Sequence, residues 1–400
     1  MSHASAQLRQ TPLHARHVAA GATMVPFSGW SMPVKYTSDV AEHTAVRTAA
    51  GLFDISHMAQ ITVVGPDAAA YLDYALAGRL SVLKPLQSKY TMILTESGGI
   101  IDDLIVTNTH PTAPDGAPTD FLIVANAGNR DAVLAALQER ITTAERTFAV
   151  SVTDTDRALI AVQGPQAQEI CAALDSLSID QGDAEADPID WSDLRYYRTA
   201  PGHFAGSPVT LSRTGYTGED GFEISIAPEQ VGELWDALIA VGQPFGLVPA
   251  GLASRDTLRL EAGMPLYGHE LSLEIYPAQA GLGRVVVTAK DAFVGKEATE
   301  SGPAADAPVL VGLALPGRRA GRAGYPVLQS AEAGAAAAAG SLVGEITSGA
   351  LSPTLGYPIA MAYVRPDCAA IGTELAVDVR GSAIPATVVA LPFYRRNQES

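Results

Sequence analysis

One unit recurs along the greater part of the chain: a short apolar run, a turn, and an amphipathic segment of helical periodicity. Three copies carry a proline in the turn, which suits the first turn of a helix because the N–H that proline lacks would have no partner there. The fourth copy has Asn126 instead, which predicts a side-chain cap for the helix that follows. The four apolar runs are Ile61–Val64, Phe121–Val124, Leu159–Val162 and Phe222–Ile226.

These runs predict strands, and the segments behind them predict helices over about 67–76, from about 129, over about 166–175 and over about 229–240. Further apolar runs between the units predict hairpins, so a β-α-β-β-α-β-like order occurs twice. The sequence therefore predicts an α+β fold with two ferredoxin-like or related domains.

The C-terminal quarter has a different pattern, in which short apolar runs are separated by Gly and Pro turns and no helical period is present. Such a series is typical of a small β-barrel. An Ala/Gly-rich run, Ala331–Gly340, predicts a hairpin loop or an insertion. The predicted strands are Val309–Leu315, Gly344–Ser348, Ile359–Val364, Glu374–Val379 and Ala386–Ala390.

Length and composition predict a folded protein of several domains. A chain of 400 residues exceeds one compact core, so two or three domains are expected. Its 47% apolar and 17% charged residues lie outside the range of disordered chains. No apolar stretch reaches the ~18 residues of a membrane span, and the N-terminus lacks the apolar core of a secretory signal.

The number of cysteines and the net charge limit the cell compartments and the partners that can be expected for this chain. Only Cys171 and Cys368 are present, which indicates a reducing compartment and excludes a cysteine-rich zinc site. With 26 basic and 43 acidic residues the formal net charge is −17, which repels phosphate backbones. We therefore expect a cytoplasmic protein that binds neither nucleic acid nor a membrane.

Two adjacent carboxylates, Asp102 and Asp103, follow the turn Glu96–Gly99 inside an otherwise apolar strand. Carboxylates at such positions are costly unless each has a partner, a ligand or water. Because side chains alternate across a strand, the two lie on opposite faces, and one of them can point into a cavity. Alternation alone leaves open which one, and two acids closing a surface hairpin would give the same pattern.

Several longer motifs carry the same signal of polar residues among apolar ones. Together with the aspartate pair they resemble the folate-dependent aminomethyltransferases, the T-protein family of the glycine cleavage system. The resemblance runs from Thr11 to Tyr394, and its specificity comes from several long motifs in one order. These motifs are Gly51–Met58, Gly98–Asp103, Arg213–Glu223, Ser254–Met264 and Ser348–Gly356.

The resemblance implies three domains in a ring around a central folate cavity, the first two interleaved along the chain. On this basis residues 1–56 and 153–255 form the first domain, 57–152 and 256–300 the second, and 307–400 the C-terminal barrel. Sequence pattern alone does not show the interleaving.

The resemblance also implies the reaction. The lipoyl arm of a carrier protein, the H-protein, delivers a sulfur-bound aminomethyl group, and its carbon moves to tetrahydrofolate as co-substrate. Methylenetetrahydrofolate, ammonia and the dihydrolipoyl carrier are the products. The nucleophile is a folate nitrogen, so the enzyme needs positioning and a carboxylate that manages protons.

Among the residues, Asp102 matches the family's catalytic aspartate, which leaves Asp103 a structural role. No metal is expected, since no spacing links His43 or His57 to a carboxylate or cysteine set. From the residues alone plainer roles stay open: Glu219 as a turn acid, Asn126 as a helix entry, and Met58 and Tyr90 as core. The expected folate-binding residues are Met58, Tyr90, Asn126, Tyr216, Glu219 and Arg255.

Two other kinds of protein contain a similar folate-binding domain and are alternatives for this chain. A folate-dependent demethylase would add a flavin domain, but the chain has no G-x-G-x-x-G after an early strand. A folate-binding accessory protein without turnover would carry a Lys-Gly-Cys-Tyr-type motif, and Gly263–Glu270 has no cysteine. A paralogue with a different one-carbon donor also stays open, because pocket lining and not motif sets substrate choice.

Overall fold

The computed structural model describes residues 7–110, 117–180, 190–329 and 340–396. The strands in these ranges are β1 (Arg9–Gln10), β2 (Thr23–Phe27), β3 (Trp30–Lys35), β4 (Ala50–Asp54), β5 (Ala59–Val64), β6 (Ser88–Leu94), β7 (Ile100–Asn108), β8 (Asp120–Ala125), β9 (Ser151–Thr155), β10 (Ala158–Gln163), β11 (Leu177–Ile179), β12 (Thr199–Phe204), β13 (Ser207–Ser212), β14 (Gly221–Ile226), β15 (Leu247–Pro249), β16 (Val309–Ala314), β17 (Pro326–Gln329), β18 (Leu342–Leu351), β19 (Pro358–Val364), β20 (Glu374–Val379) and β21 (Ser382–Val389). The α-helices are α1 (His14–Ala19), α2 (Asp39–Thr48), α3 (Ala68–Ala75), α4 (Arg130–Glu139), α5 (Ala167–Ala172), α6 (Val231–Gly242), α7 (Leu252–Glu261) and α8 (Lys296–Ser301).

The largest sheet has seven strands in the order β11-β12-β13-β14-β10-β4-β15. Its pairs are antiparallel except for β15 on β4, which is parallel. Helices α5 and α6 lie against it, and Ile170 and Leu234 join Ile160 and Phe222 in its core. The central strands β4 and β10 are buried on both faces, because Phe53 and Leu159 pack with Leu258 of α7 on the face opposite to α5 and α6.

A second sheet has five antiparallel strands in the order β6-β7-β8-β5-β9. Helices α3 and α4 supply Leu72 and Leu137 to its core, where they meet Ile61 and Ile123. The turn between β6 and β7 is the predicted Gly-Gly turn. Gly98 has φ +86°, which favours glycine, and a Cβ on Gly99 would lie 1.8 Å from the carbonyl oxygen of Leu273.

The five-stranded sheet is inserted in the chain of the seven-stranded one, because β4 precedes β5 and β10 follows β9. The expected α+β fold with two interleaved units is therefore confirmed. Leu271 and Phe293 pack against Met92 and Ile100 of the five-stranded sheet, which supports placing 256–300 in the second domain. The domain limits themselves stay a prediction.

The C-terminal quarter closes into a six-stranded barrel in the order β16-β19-β18-β17-β20-β21, as its pattern predicts. Strand β17 was not predicted. It has four residues and begins with a proline, so it lacks the length and the composition that identify a strand. The predicted loop Ala331–Gly340 lies, except for Gly340, outside the described residues.

A cluster of buried charges, the Arg47 cluster, joins the barrel and the C-terminal segment to the rest of the chain. The Arg47 guanidinium on α2 donates to Glu219 at 2.8 Å and to Glu261 on α7 at 2.8 Å. Thr354, which follows β18, donates its hydroxyl to the Glu261 carboxylate at 2.8 Å. The ring of Tyr394 packs on Arg47, 4.1 Å from the guanidinium carbon. No helix among the described residues is long and apolar enough to cross a membrane.

Candidate active site

A cavity of about 510 Å³ lies where the two sheets and α7 approach each other. Its wall comes from the β2–β3 hairpin, the link between β4 and β5, the segment after β8, the loop before β14, α7, and the turn 266–269. The lining is mostly apolar with a few polar side chains, as in pockets that bind small molecules. Of the predicted site residues, Met58, Asn126, Tyr216 and Arg255 line it.

The aspartate pair lies beside this cavity on β7, where Asp102 pairs with Ile93 and Asp103 with Met92 of β6. Asp102 is fully buried. Its carboxylate accepts hydrogen bonds from the backbone N–H of Asn126 at 2.9 Å, from the Asn126 amide at 2.8 Å, and from the Asn129 amide at 2.7 Å. Three hydrogen bonds from two residues of the cavity wall, Asn126 and Asn129, therefore hold the Asp102 carboxylate in place.

Asp103 is the accessible member of the pair, since its side chain is partly exposed. It accepts from the Asn126 amide at 2.8 Å and from the Tyr90 hydroxyl at 3.1 Å. Asp103 is therefore the more exposed of the two carboxylates. Catalysis by Asp102 stays a prediction.

Asn126 holds the two carboxylates together, because its amide donates to both. The predicted helix cap by Asn126 is therefore wrong: its side chain makes no cap hydrogen bond, and the helix α4 begins four residues later. Two anionic acceptors from another strand outcompete a neutral backbone N–H for this amide.

Both aspartates are held in a state that favours protonation. Burial and, second to it, the charge of Asp103 raise the pKa of Asp102 to about 7, although the bonds from Asn126 and Asn129 lower it. Burial also raises the pKa of Asp103, although the bonds from Tyr90 and Asn126 lower it. Among the described residues no cation pairs with either carboxylate. Two close carboxylates in that situation cannot both ionise easily, so the pair keeps a proton available near neutral pH.

Glu219 is not brought to the cavity. It belongs to the Arg47 cluster, where its carboxylate is buried and accepts from Arg47. Burial and then the bond to Glu219 raise the pKa of the Tyr394 phenol to about 12, which places that hydroxyl beside the same carboxylate. Glu219 is thus committed to contacts within the protein.

A different carboxylate, Glu223, was missed by the sequence analysis. It stands in the middle of β14 and is partly exposed, between the buried Phe222 and Ile224. Burial raises its pKa, which the bond from the Thr214 hydroxyl and the charge of Arg255 lower. The sequence could have indicated Glu223, because a single acid within an apolar strand needs a partner or a ligand, as the two aspartates do.

Arg255 lies near Glu223 and is held by packing, with its guanidinium carbon 4.9 Å from the centre of the Tyr216 ring. The Tyr216 hydroxyl in turn donates to the carbonyl oxygen of Pro265 at 2.5 Å, which fixes the ring. Burial lowers the pKa of Arg255, and the charges of Glu223 and Tyr216 raise it. A guanidinium and an aromatic face therefore meet in this wall of the cavity, and the guanidinium interacts with the Glu223 carboxylate.

Family models match almost the whole chain. The GCVT N-terminal domain matches residues 13–290, and the glycine cleavage T-protein C-terminal barrel domain matches residues 309–395. The chain belongs to the glycine cleavage T-protein family. Its resemblance to that family is thereby confirmed.

Two bacterial relatives resemble this T-protein family member over nearly their full length. An aminomethyltransferase of Cutibacterium acnes is 50% identical over 393 residues, covering 98% of this chain and 99% of the relative. One from Streptomyces coelicolor is 50% identical over 403 residues, covering 98% and 100%. The crystal structure of the glycine cleavage system aminomethyltransferase T from Bartonella henselae superposes with a TM-score of 0.82 at 35% identity, covering 97% of this chain and 98% of that one.

His43 and His57, which were considered as metal ligands, lie in two different places in the structure. His43 contacts Glu261 of the Arg47 cluster at 3.2 Å, and its two ring nitrogens also contact the hydroxyls of Thr257 and Thr354. His57 lines the cavity next to Met58. Within the described ranges no group of three or more His, Cys, Asp or Glu side chains has an arrangement that could hold a metal ion.

Proposed function

We propose that this T-protein family member is the aminomethyltransferase of a glycine cleavage system. It transfers the methylene carbon of an S-aminomethyl-dihydrolipoyl carrier protein to tetrahydrofolate, giving 5,10-methylenetetrahydrofolate, ammonia and the dihydrolipoyl carrier. The observation that carries this proposal is the carboxylate pair, Asp102 and Asp103, beside a cavity lined by Arg255, whose charge acts on Glu223. The near-complete coverage by aminomethyltransferases supports it and favours neither a demethylase nor an accessory protein.

The cavity suits the pterin part of a folate. A pterin is a flat heteroaromatic ring with N–H donors on one edge and a carbonyl oxygen on another. Glu223 can accept from such donors, Arg255 can donate to such an oxygen, and Tyr216 offers an aromatic face. The predicted contacts of Met58, Asn126 and Tyr90 fit the same placement, because Met58 and Asn126 line the cavity and Tyr90 bonds Asp103.

Glu219 does not share this chemistry, since Arg47 and Tyr394 surround its carboxylate. We therefore replace Glu219 by Glu223 as the proposed folate carboxylate. Both acids come from the same Gly-rich segment, and their tertiary neighbours separate them: Arg47 for one, Arg255 for the other.

The aspartate pair supplies the acid–base function. Two nitrogen-bound protons leave the folate during transfer, and the departing amine and thiol each need one, so a group that both accepts and gives a proton near neutral pH serves the reaction. The raised pKa values of the pair meet this requirement. Asp103 contacts the substrate, and Asp102, held by Asn126 and Asn129, positions Asp103 and keeps the proton within the pair.

The second substrate is a lipoyl-bearing carrier, the H-protein, whose arm reaches into the cavity during a transient encounter. The rim of the cavity is open for such an arm, because Ser28, Gly128, Asp256 and His269 line it and are exposed. The predicted cytoplasmic location agrees with a reaction among soluble partners, and neither a membrane nor nucleic acid takes part.

Release of ammonia and methylenetetrahydrofolate from aminomethylated carrier, measured with and without tetrahydrofolate, tests the proposal. We expect release that depends strongly on folate. Folate binding without any release would contradict the transferase and favour the accessory protein or a paralogue with another one-carbon donor.

A further inference from the structure

His57 is a buried polar side chain in the wall of the cavity that the proposed mechanism leaves without a role. Only 2% of its surface is exposed, and it stands in the short link between β4 and β5, next to Met58. Its ring packs edge-on against Phe27 of the β2–β3 hairpin, with the ring centres 5.6 Å apart. The imidazole is thus held in place from the side of the hairpin.

The Nδ1 atom of His57 is buried and has no hydrogen-bond partner among the described residues. Two other polar residues that line the cavity have partners within the protein: Asn126 donates to the aspartate pair, and Tyr216 donates to Pro265. A buried nitrogen without a partner is costly and calls for a specific explanation. In the wall of a substrate cavity, the explanation closest at hand is a partner on the bound molecule.

The imidazole is neutral at physiological pH. Burial lowers the pKa of His57 to about 4; the charge of Asp54 raises it and the charge of Arg255 lowers it. A neutral imidazole has one N–H donor and one lone pair, so it can bond either an N–H or a carbonyl group. The nearby Arg255 cation disfavours a positively charged partner, which leaves an uncharged amine, amide-like N–H or carbonyl.

We propose that His57 is a substrate-contacting residue whose imidazole hydrogen-bonds an uncharged N–H or carbonyl group of a molecule in the cavity. This rests on the proposed function, which offers two sources of such a group: the pterin ring of the folate and the uncharged aminomethyl group of the carrier arm. His57 orients that group, and because burial lowers its pKa it is a weak base at physiological pH.

The test compares His57→Phe, which keeps the ring packing and removes both nitrogens, with His57→Asn, which keeps a polar group near Nδ1. His14→Phe is the matched control, since its Nδ1 also lacks a partner but the side chain does not line the cavity. The readouts are the dissociation constant for tetrahydrofolate by calorimetry and the KM for aminomethylated carrier.

His57→Phe is expected to weaken one of these constants by roughly tenfold, with His57→Asn closer to wild type and His14→Phe unchanged. A weaker folate constant assigns the partner to the pterin, whereas a higher KM for carrier alone assigns it to the aminomethyl group. Equal constants for His57→Phe and His14→Phe would overturn the inference. If His57→Phe does not fold, His57→Leu, which also removes both nitrogens, takes its place, and wild-type constants in His57→Leu would overturn the inference.

The calorimetric arm needs no turnover. If wild-type protein released no ammonia from the carrier, the proposed function would fail, while the folate titration of the His57 variants would still decide the inference about folate. The two failures are therefore distinguishable.

Discussion

The aspartate pair and the Arg47 cluster both bury two carboxylates, and they give those carboxylates opposite properties. In the pair, the donors are neutral amides and a phenol, and burial raises the pKa of both acids. In the Arg47 cluster, burial alone would raise the pKa of Glu261, but bonds from His43 and Ser352 and the charges of His43 and Arg47 lower it to about 2. The difference is the presence of a cation.

A buried carboxylate beside a cation is a fixed charge that fastens parts of the fold together. A buried carboxylate that has only neutral donors and another acid is close to gaining or losing a proton. The five-stranded sheet therefore carries the reactive pair, whereas the junction of α2, α7 and the barrel carries the structural one. The predictions below test this division, from the largest expected effect to the smallest.

Asp103→Asn is expected to reduce turnover by roughly 10²- to 10⁴-fold, because it removes the accessible proton-transfer group of the pair. Folate affinity and thermal stability should stay near wild type. The family resemblance implies that Asp102 is the catalyst, but we expect Asp102→Asn to lose less turnover than Asp103→Asn. Steady-state ammonia release with calorimetric folate binding decides the order; a larger loss for Asp102→Asn with Asp103→Asn near wild type would reverse the roles.

Arg47→Met is expected to lower the free energy of unfolding by about 3–5 kcal/mol, because it leaves Glu219 and Glu261 buried without their cation. Turnover per folded molecule should change little. Denaturant unfolding and the assay on the same sample check both parts. Arg16→Met, which breaks an exposed pair with Asp236, is the control and should be nearly neutral.

Glu223→Gln and Glu219→Gln separate the two carboxylates of the Gly-rich segment. Glu223→Gln is expected to weaken tetrahydrofolate binding by roughly 10- to 100-fold, since it removes the proposed carboxylate acceptor next to Arg255. Glu219→Gln should lower the unfolding midpoint and leave folate affinity nearly unchanged. Calorimetry and thermal melts on both variants give the comparison, and the reverse pattern would restore Glu219 as the folate residue.

The two groups should also respond to pH with opposite signs. The fold raises the pKa of Asp102 from an ordinary 3.8 to about 7. Asp102 therefore destabilises the folded state, and this destabilisation increases as pH rises from about 4 to about 7. Glu261 has a pKa of about 2 against 4.5, so its stabilisation is present above 4.5 and is lost as pH falls toward 2.

Unfolding free energies measured over this pH range test the signs. The unfolding free energy of wild type minus that of Asp102→Asn should decrease as pH increases from 4 to 7. The unfolding free energy of wild type minus that of Glu261→Gln should increase as pH increases from 2 to 4.5. Slopes of one sign in both comparisons would contradict the division.

Local sequence pattern was sufficient for the strand–turn–helix units, the hairpin of β6 and β7, and most of the barrel. These elements follow from short apolar runs, helical period and Gly/Pro turns, which are properties of neighbouring residues. Strands β1–β4, β9, β11–β13 and β15 were not located by it. Strand β17 was missed because four residues hold too little pattern. The interleaving came from family resemblance, since periodicity does not state which strands pair.

The site was harder to predict because its decisive contacts join distant residues. Asn126 was assigned to a local helix cap, but its partners lie on β7, more than twenty residues earlier. Glu219 and Glu223 are four residues apart and differ through Arg47 and Arg255, which come from different helices. Strand alternation separated Asp102 from Asp103 without showing which face meets the cavity.

The position of β4 has a consequence for synthesis. This strand lies between β10 and β15 in the seven-stranded sheet, yet the residues of the five-stranded sheet, 59–155, are translated before either neighbour. On the ribosome β4 must wait with unpaired edges while the five-stranded sheet can already fold behind it. The edge of β4 that pairs with β10 can be covered once residue 163 has emerged, but the other edge stays unpaired until residue 249 has emerged. That interval is when a chaperone has most to protect.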